Sequence, residues 1–462
     1  MSRIQPLRGW RYDLAAAGAA NLVELLTPPY DVIGPAQQAE FYARHPANVI
    51  RIDLALDALR DDDDENRYTR AAATLASWQS QGILRQEAAP AFYLLRETYT
   101  LPNGSQATRR GLIFRLRLAP WGDGILPHER TFPAAKADRL ALLIATHAQA
   151  SPIFLLYSDP SDEVQALLLA ETERPADAVL LDDDGVEHAL WAVAGAAAIQ
   201  QVAAALEPRT FYVADGHHRY ETALNYQRYR RGEPLPDMLA PEPLTTWQAV
   251  PNFAHYALPG PDQPQPFDYA WVCAARLEDP GVAILPTHRC LHDLPTFDPD
   301  RLLEQLRERF DVTPMAGDEA LIAALDEARS GDHVFGLALA GQASGYLLRL
   351  RPDPAVTAVL HKTDHPTVAA VDVAALQTLV LGPLLGISRE PGELKRHVSF
   401  LPDARQAIRE TRAGLFQAAF LVKPTTLHQL RVASDARQIM PPKATYFYPK
   451  LPSGLVINII ER

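Results

Sequence analysis

A chain of 462 residues, 47% apolar and 22% charged, has the balance of a protein that buries large cores and the length of two or three domains. Its formal charge of −12 argues against general nucleic-acid binding, because a phosphate backbone rewards a basic face; DNA is not an expected partner, although a local basic pocket remains open. Two cysteines, Cys273 and Cys290, are too few for a disulfide scaffold, and no uncharged apolar run reaches the length of a membrane span.

The first residues, Met1 to Pro6, lack an apolar stretch of signal-peptide length, so a cytosolic protein is expected. Pro35 opens an amphipathic helix ending near Arg44, since proline suits a first helical turn. Asn48 to Leu54 reads as a strand. Asp61 to Glu65 reads as a solvated acidic run, and a helix follows from about Asn66 to Gln81, stopped by Gly82. Phe92 to Thr100 and Thr108 to Leu118 form the clearest hairpin, because Asn103-Gly104 supplies the positive φ angles that tight turns require. A second hairpin is predicted from Ala178 to Leu181 and Val186 to Val193, and a helix from Ala194 to Leu206, ended by Pro208.

Thr210 to Ala214 is a short β-type run that stops at Asp215-Gly216. Tyr220, Ala223, Leu224 and Gln227 then follow helical spacing. Gly232 to Gln265 is proline-rich and reads as an insertion or linker. Beyond it, strands are predicted near Tyr269 to Ala275 and Val282 to Leu285, and helices near Pro299 to Phe310 and Asp318 to Ser330. A strand pair is predicted at His333 to Leu339 and Gly345 to Leu350, and helices near Asp403 to Ala413 and Thr425 to Ser434. The apolar end, Gly454 to Ile460, reads as a buried strand. The alternation predicts a mixed α/β (α+β) protein with mixed sheets and flanking helices. The expected divisions are an N-terminal region 1–231, an insertion 232–268 and a C-terminal region 269–462 that completes the site.

A strand that stops at Asp215-Gly216 and is followed by a helix places residues 216–219 in the first helical turn. Backbone N–H groups there lack partners and the dipole end is positive, so an anion belongs there. Glycine lets the anion approach, and Arg219 adds a planar fork for phosphate or carboxylate. A purely structural reading is also open: Asp215 as an N-cap, exposed histidines, and Arg219 as a salt-bridge partner. A zinc site at His217-His218 is disfavoured, because adjacent helical residues point about 100° apart.

Several other clusters carry chemistry. His128-Glu129-Arg130-Thr131 with Lys136 and Asp138-Arg139 could supply a general base and phosphate-neutralising cations, or simply a capped helix with surface ion pairs. Thr287-His288-Arg289 follows an apolar strand, where α/β proteins often place ligands. Between Pro441 and Lys450 stand Lys443, Lys450 and three rings, Tyr446, Phe447 and Tyr448, which could wall a pocket or fill a core.

Together with Arg8-Gly9-Trp10-Arg11-Tyr12, Pro28-Pro29-Tyr30-Asp31-Val32-Ile33 and His45-Pro46-Ala47-Asn48-Val49-Ile50, these motifs resemble, in order and nearly end to end, the family known as domain of unknown function 1015. The segment Asp215-Gly216-His217-His218-Arg219 also resembles the nucleotide-phosphate motif of the ParB/sulfiredoxin fold, notably in archaeal free serine kinases. That resemblance implies that Asp215 acts near the transferred phosphoryl group or its metal, and that Gly216, His217, His218 and Arg219 hold phosphate oxygens. Glu129 is the candidate for the kinases' catalytic glutamate.

The expected catalytic set is therefore Glu129, Asp215 and His218, with Asp215 as the metal residue. The expected phosphate and nucleotide contacts are Gly216, His217, Arg219, His128, Lys136, Arg139, His288, Arg289, Lys443, Tyr446 and Lys450. The implied cofactor is ATP or ADP with Mg2+, and the implied activity is phosphoryl transfer to a small polar metabolite such as a serine-type hydroxy amino acid. Phosphomonoester hydrolysis and a non-catalytic nucleotide-binding role are the alternatives. The chain lacks the Gly-x-x-x-x-Gly-Lys loop of a P-loop kinase.

Overall fold

The long hairpin is the spine of the molecule. Phe92–Thr100 pairs antiparallel with Gln106–Arg117, joined by a turn in which Gly104 has φ +84°. A computed structural model describes residues 2–131, 133–235, 264–329 and 331–460. In it the hairpin lies inside a nine-stranded sheet. The path from one edge runs Ile125–Leu126, Phe211–Asp215, Ile153–Tyr157, Tyr269–Arg276, Gln106–Arg117, Phe92–Thr100, Glu187–Val193 and Ala178–Leu181, and Ile4–Gln5 joins beside Gln106–Arg117. Tyr269–Arg276 runs parallel to Ile153–Tyr157, and Phe211–Asp215 runs parallel to Ile125–Leu126, so the sheet is mixed. The sheet thus crosses the division expected between 231 and 269. The insertion expected over 232–268 falls, for residues 236–263, outside the described residues.

Alternation along the strands separates two cores. Phe92, Phe114, Phe211 and Trp191 face the helices Ala196–Leu206 and His217–Arg231, which contribute Val202, Leu206, Tyr220, Ala223 and Leu224. Tyr93, Phe154, Tyr212 and Trp271 face the other way, into a core shared with a second sheet. Each such buried side chain contributes about 1.5–3 kcal/mol. The second sheet has six antiparallel strands in the order Phe310–Pro314, Tyr346–Leu350, Val334–Leu339, Ala418–Leu421, His288–Leu291 and Val398–Leu401. A short pair, Ala283–Leu285 with Tyr446–Tyr448, forms a separate two-stranded sheet. Among the described residues no helix is long and apolar enough to cross a membrane.

Three expectations are corrected. The strand expected over 48–54 is a short helix, Ile50–Asp53, because Asn48 Oδ1 accepts from the Ile50 N–H and turns the chain while its Nδ2 donates to the Glu24 and Leu26 carbonyls. The helix expected over 299–310 stops at Leu306, and Phe310 begins a strand paired with Leu350. Residues 454–460 are mostly buried, but only Asn458–Ile459 forms a ladder. That tail satisfies its backbone on several segments instead: Ile457 exchanges bonds with Trp10, Gly454 donates to Ala150 and Ile460 to His147.

Candidate functional site

The site grows from the end of the strand Phe211–Asp215. Gly216 takes φ +93°, a conformation L side chains avoid, and turns the chain directly into the helix His217–Arg231. A Cβ at Gly216 would also come within 2.9 Å of Arg219 Nε, so the guanidinium itself fills the space beside the glycine. Gly216, not Asp215, holds the N-cap position, and no side chain caps it.

Asp215 is instead a bridge. Its Oδ1 accepts from Lys450 Nζ at 2.8 Å and its Oδ2 from Arg219 Nη2 at 2.5 Å. Burial alone would raise its pKa, but Lys450 and Arg219, then Lys443, hold the carboxyl well below the usual carboxylate range. Arg219 also donates to the Pro152 carbonyl at 2.6 Å and to Ser151 Oγ. Its fork is therefore engaged by protein groups: at this residue the geometry is that of a salt-bridge partner that positions Asp215.

None of the three neighbouring histidines behaves as an exposed polar residue or as a cation. His128 is fully buried. Its Nδ1 lies 2.8 Å from the Val213 carbonyl, which can only accept, so Nδ1 carries the proton and Nε2 accepts from Thr445 Oγ1 at 2.9 Å. The His128 backbone N–H donates to His217 Nε2 at 3.3 Å, and the two rings meet edge to face at 4.7 Å. Burial, against the Val213 bond, draws His128 down to about 4 and places His217 well below its ordinary value. Burial and the charges of Lys443, Lys136 and Lys395 bring partly exposed His218 to about 3. All three are neutral at pH 7, so positive charge in the site comes from the lysines and arginines.

Glu129 stands opposite. Its Oε1 accepts from the Lys443 N–H at 3.2 Å, and among the described residues it makes no ion pair. Burial raises its pKa, with Lys443 pulling the other way and Asp215 adding to the rise. Lys443 has φ +55°, and its carbonyl is clamped by Thr287 Oγ1 at 2.7 Å and Arg289 Nη2 at 3.1 Å. No carboxylate among the described residues lies within ion-pair distance of its ammonium, although its charge bears on Asp215, Glu129 and His218. Arg289 is buried over the Phe400 ring; burial lowers it to about 9, Glu129 opposes the fall, and it stays protonated at neutral pH.

Lys450 Nζ sits 4.7 Å from the centroid of the Tyr446 ring. Lys136 pairs with Glu221 at 3.2 Å, a carboxylate that also accepts from Thr131 and from Trp121 Nε1. The structure thus brings His128, Glu129, Asp215, Gly216, His217, His218, Arg219, Arg289, Lys443, Tyr446 and Lys450 together, with Lys136 at the edge.

Two residues do not join. Adjacent strand residues face opposite ways, so while Arg289 reaches the 442–443 backbone, His288 turns into the six-stranded sheet, where its Nδ1 accepts from the Val422 N–H at 3.1 Å. Arg139 donates to Asp53 O at 2.6 Å, pairs with Asp138 and stacks over Tyr30 at 4.1 Å. A metal at Asp215 does not fit either: both its oxygens are held by cations, and among the described residues no three potential ligands cluster.

Residues that position the site without a signal of their own are Ser151, Pro152 and Thr445. Lys395 is another, carried by the helix Pro391–His397. Glu221 was within reach of helical spacing, four residues from His217 and three from His218.

A family model described as "Protein of unknown function (DUF1015)" matches residues 4–374. No curated protein matches. Among solved structures, a conserved hypothetical protein from Pyrococcus furiosus is similar at TM-score 0.34 and 12% identity, over 74% of this chain and 93% of that one. A free serine kinase in complex with AMP is similar at TM-score 0.33 and 11% identity, over 72% and 86%. A variant of such a kinase in complex with ADP is similar at TM-score 0.32 and 10% identity, over 72% and 88%. With TM-scores under 0.5, none of these likenesses bears on the assignment that follows.

Proposed function

This chain belongs to the DUF1015 family, whose activity is unassigned, and from that premise we propose that the cleft transfers a phosphoryl group from a nucleotide such as ATP or ADP to the hydroxyl of a small polar metabolite. The observation that carries the reading is the pairing of two spare charges. Glu129 has a raised pKa and no ion pair, and the Lys443 ammonium has no carboxylate partner among the described residues. A general base works best with a pKa lifted toward the operating pH, and a cation without a partner awaits an anion.

In this reading the acceptor hydroxyl hydrogen-bonds to Glu129. Its oxygen attacks the terminal phosphorus, Glu129 takes the proton, and the bond from phosphorus to the nucleotide's bridging oxygen breaks. Lys443 and Lys450 neutralise the phosphate charge that a loose transition state spreads over its oxygens. Asp215, held by Arg219, keeps Lys450 in place and limits the net positive charge. Neutral His218 and the backbone N–H groups after Gly216 offer hydrogen bonds rather than charge. A serine-type hydroxy amino acid is the acceptor to test first.

The test is phosphorus NMR of pure protein with ATP or ADP, magnesium and a panel of hydroxy amino acids. A new phosphomonoester resonance supports transfer. Release of inorganic phosphate alone would reassign the site to hydrolysis, and binding without turnover would make it a nucleotide-binding module.

A further inference from the structure

Beside Lys450 the surface opens into a cavity of about 110 Å³ whose walls are mainly apolar. Leu26, Pro28, Phe41 and Leu180 line it together with Pro449, the residue before Lys450. Besides the exposed Gln37 amide nitrogen, two polar groups stand in it without partners among the described residues. Thr27 is 3% exposed, and its Oγ1 has no hydrogen-bond partner, an arrangement that costs free energy unless a ligand or water completes it. Asp184 stands on the rim, exposed, and its carboxylate makes no ion pair among the described residues.

The neighbouring acids are already engaged. Asp182 accepts from His188 Nε2 at 2.9 Å and from the Asp184 and Val186 N–H groups, while Asp183 pairs with Arg44 at 2.7 Å. Arg44 in turn lies over the Phe41 ring at 4.7 Å. Lys450 links the cavity to the phosphate cleft: it lines the cavity while bonding Asp215, and Tyr446, beneath Lys450, feels the charges of both Asp184 and Asp215.

We infer that this slot receives the heterocyclic base of the nucleotide whose phosphates rest at Lys450 and Lys443, and that it selects a base carrying an exocyclic amino group. The inference rests on the phosphoryl-transfer reading. Apolar walls suit a flat ring and not a small polar acceptor. Of the uncommitted groups, the Asp184 carboxylate can only accept and the Thr27 hydroxyl can accept, while the exposed Gln37 amide donates. Asp184 and Thr27 welcome an amino donor, whereas an oxo group held against Asp184 would have nothing to donate to it.

Titration calorimetry with three probes tests this: adenosine diphosphate, inosine diphosphate (an oxo group in place of the amino group) and inorganic tripolyphosphate. Adenosine diphosphate should bind about tenfold more tightly than inosine diphosphate, the worth of one charge-assisted hydrogen bond. Asp184→Asn, on the exposed rim, and Thr27→Val, nearly isosteric, should each shrink that ratio and leave tripolyphosphate binding unchanged. Equal binding of the two nucleotides alongside tripolyphosphate binding would overturn the slot and spare the phosphate reading. Binding of tripolyphosphate with neither nucleotide bound would overturn the slot in the same way. If none of the three bound, the phosphate reading would fall and the slot with it.

Discussion

Two clusters of charge lie on either side of the segment 446–450, and they differ in what they leave unpaired. In the first, Asp215 is balanced by Lys450 and Arg219, but among the described residues Glu129 and Lys443 have no ion-pair partner, and both are partly exposed. In the second, Arg109 and Glu97 form an ion pair at 2.6 Å with both side chains fully buried. Arg109 also donates to the Pro449 carbonyl at 2.8 Å, and His188 lies between Glu97 at 3.4 Å and Asp182 at 2.9 Å. The sealed cluster holds the backbone from which Lys450 reaches Asp215, whereas the open one keeps charges available for a ligand.

The histidines show the same difference. Burial pulls all of them down, yet in the sealed cluster the hydrogen bond to Asp182 and the charges of Asp182 and Glu97 outweigh it and bring His188 to about 9. His128 has only a carbonyl and a hydroxyl as partners and falls to about 4. Burial is common to both; a carboxylate in direct contact with the ring decides the sign.

Mutations should separate the clusters by what they damage. Glu129→Gln, in the open cluster, should cut turnover by about 10²–10⁴-fold while leaving the unfolding midpoint and tripolyphosphate affinity nearly unchanged. Unaltered turnover would remove Glu129 as the base. Arg109→Met, in the sealed cluster, should do the opposite first: stranding the Glu97 carboxylate is expected to cost about 3–5 kcal/mol in urea unfolding. A change under about 1 kcal/mol would mean water or His188 already satisfies Glu97.

The pH dependence of stability carries the contrast with opposite signs. His188 is raised from 6.5 to about 9, so its contribution is complete below pH 6.5 and is lost as pH rises through 9. The shift corresponds to a loss on the order of 3 kcal/mol. His128 is lowered from 6.5 to about 4, so its contribution is complete above pH 6.5 and is lost as pH falls through 4. Urea midpoints from about pH 4 to 9.5 should show both limbs, and His188→Gln should flatten only the alkaline one.

Two smaller effects probe the open cluster. Lys443→Met should weaken tripolyphosphate binding about tenfold to a hundredfold by calorimetry, as expected for one lost charged hydrogen bond of about 1.5–3 kcal/mol. Gly216→Ala should cost about 1–2 kcal/mol of stability for its left-handed backbone, and more if Arg219 is pushed aside, because the new Cβ meets its Nε at 2.9 Å.

The sequence alone determined the features whose causes lie within a few residues. The Asn103-Gly104 turn, the helix ahead of Gly82 (Arg67–Ser80) and the strand–glycine–helix passage at Asp215-Gly216-His217 follow from positive φ angles and helical spacing, and all were legible. His128, Glu129, Asp215 and Lys443 were legible as candidate site residues. Their chemical states were not. Asp215 meets Lys450 across 235 positions, Lys443 meets Glu129 across 314, and His128 meets Thr445 across 317. Glu97, Arg109 and His188 have no motif that joins them, yet they are buried together, with Asp182 at their edge. Even the alternation that sends Arg289 to the site and His288 away needed a sheet to define its faces. Which charges are neutralised, which histidine is lifted and which carboxylate is left spare depend on burial and on partners distant in the chain, and those distances exist only once the two sheets have packed.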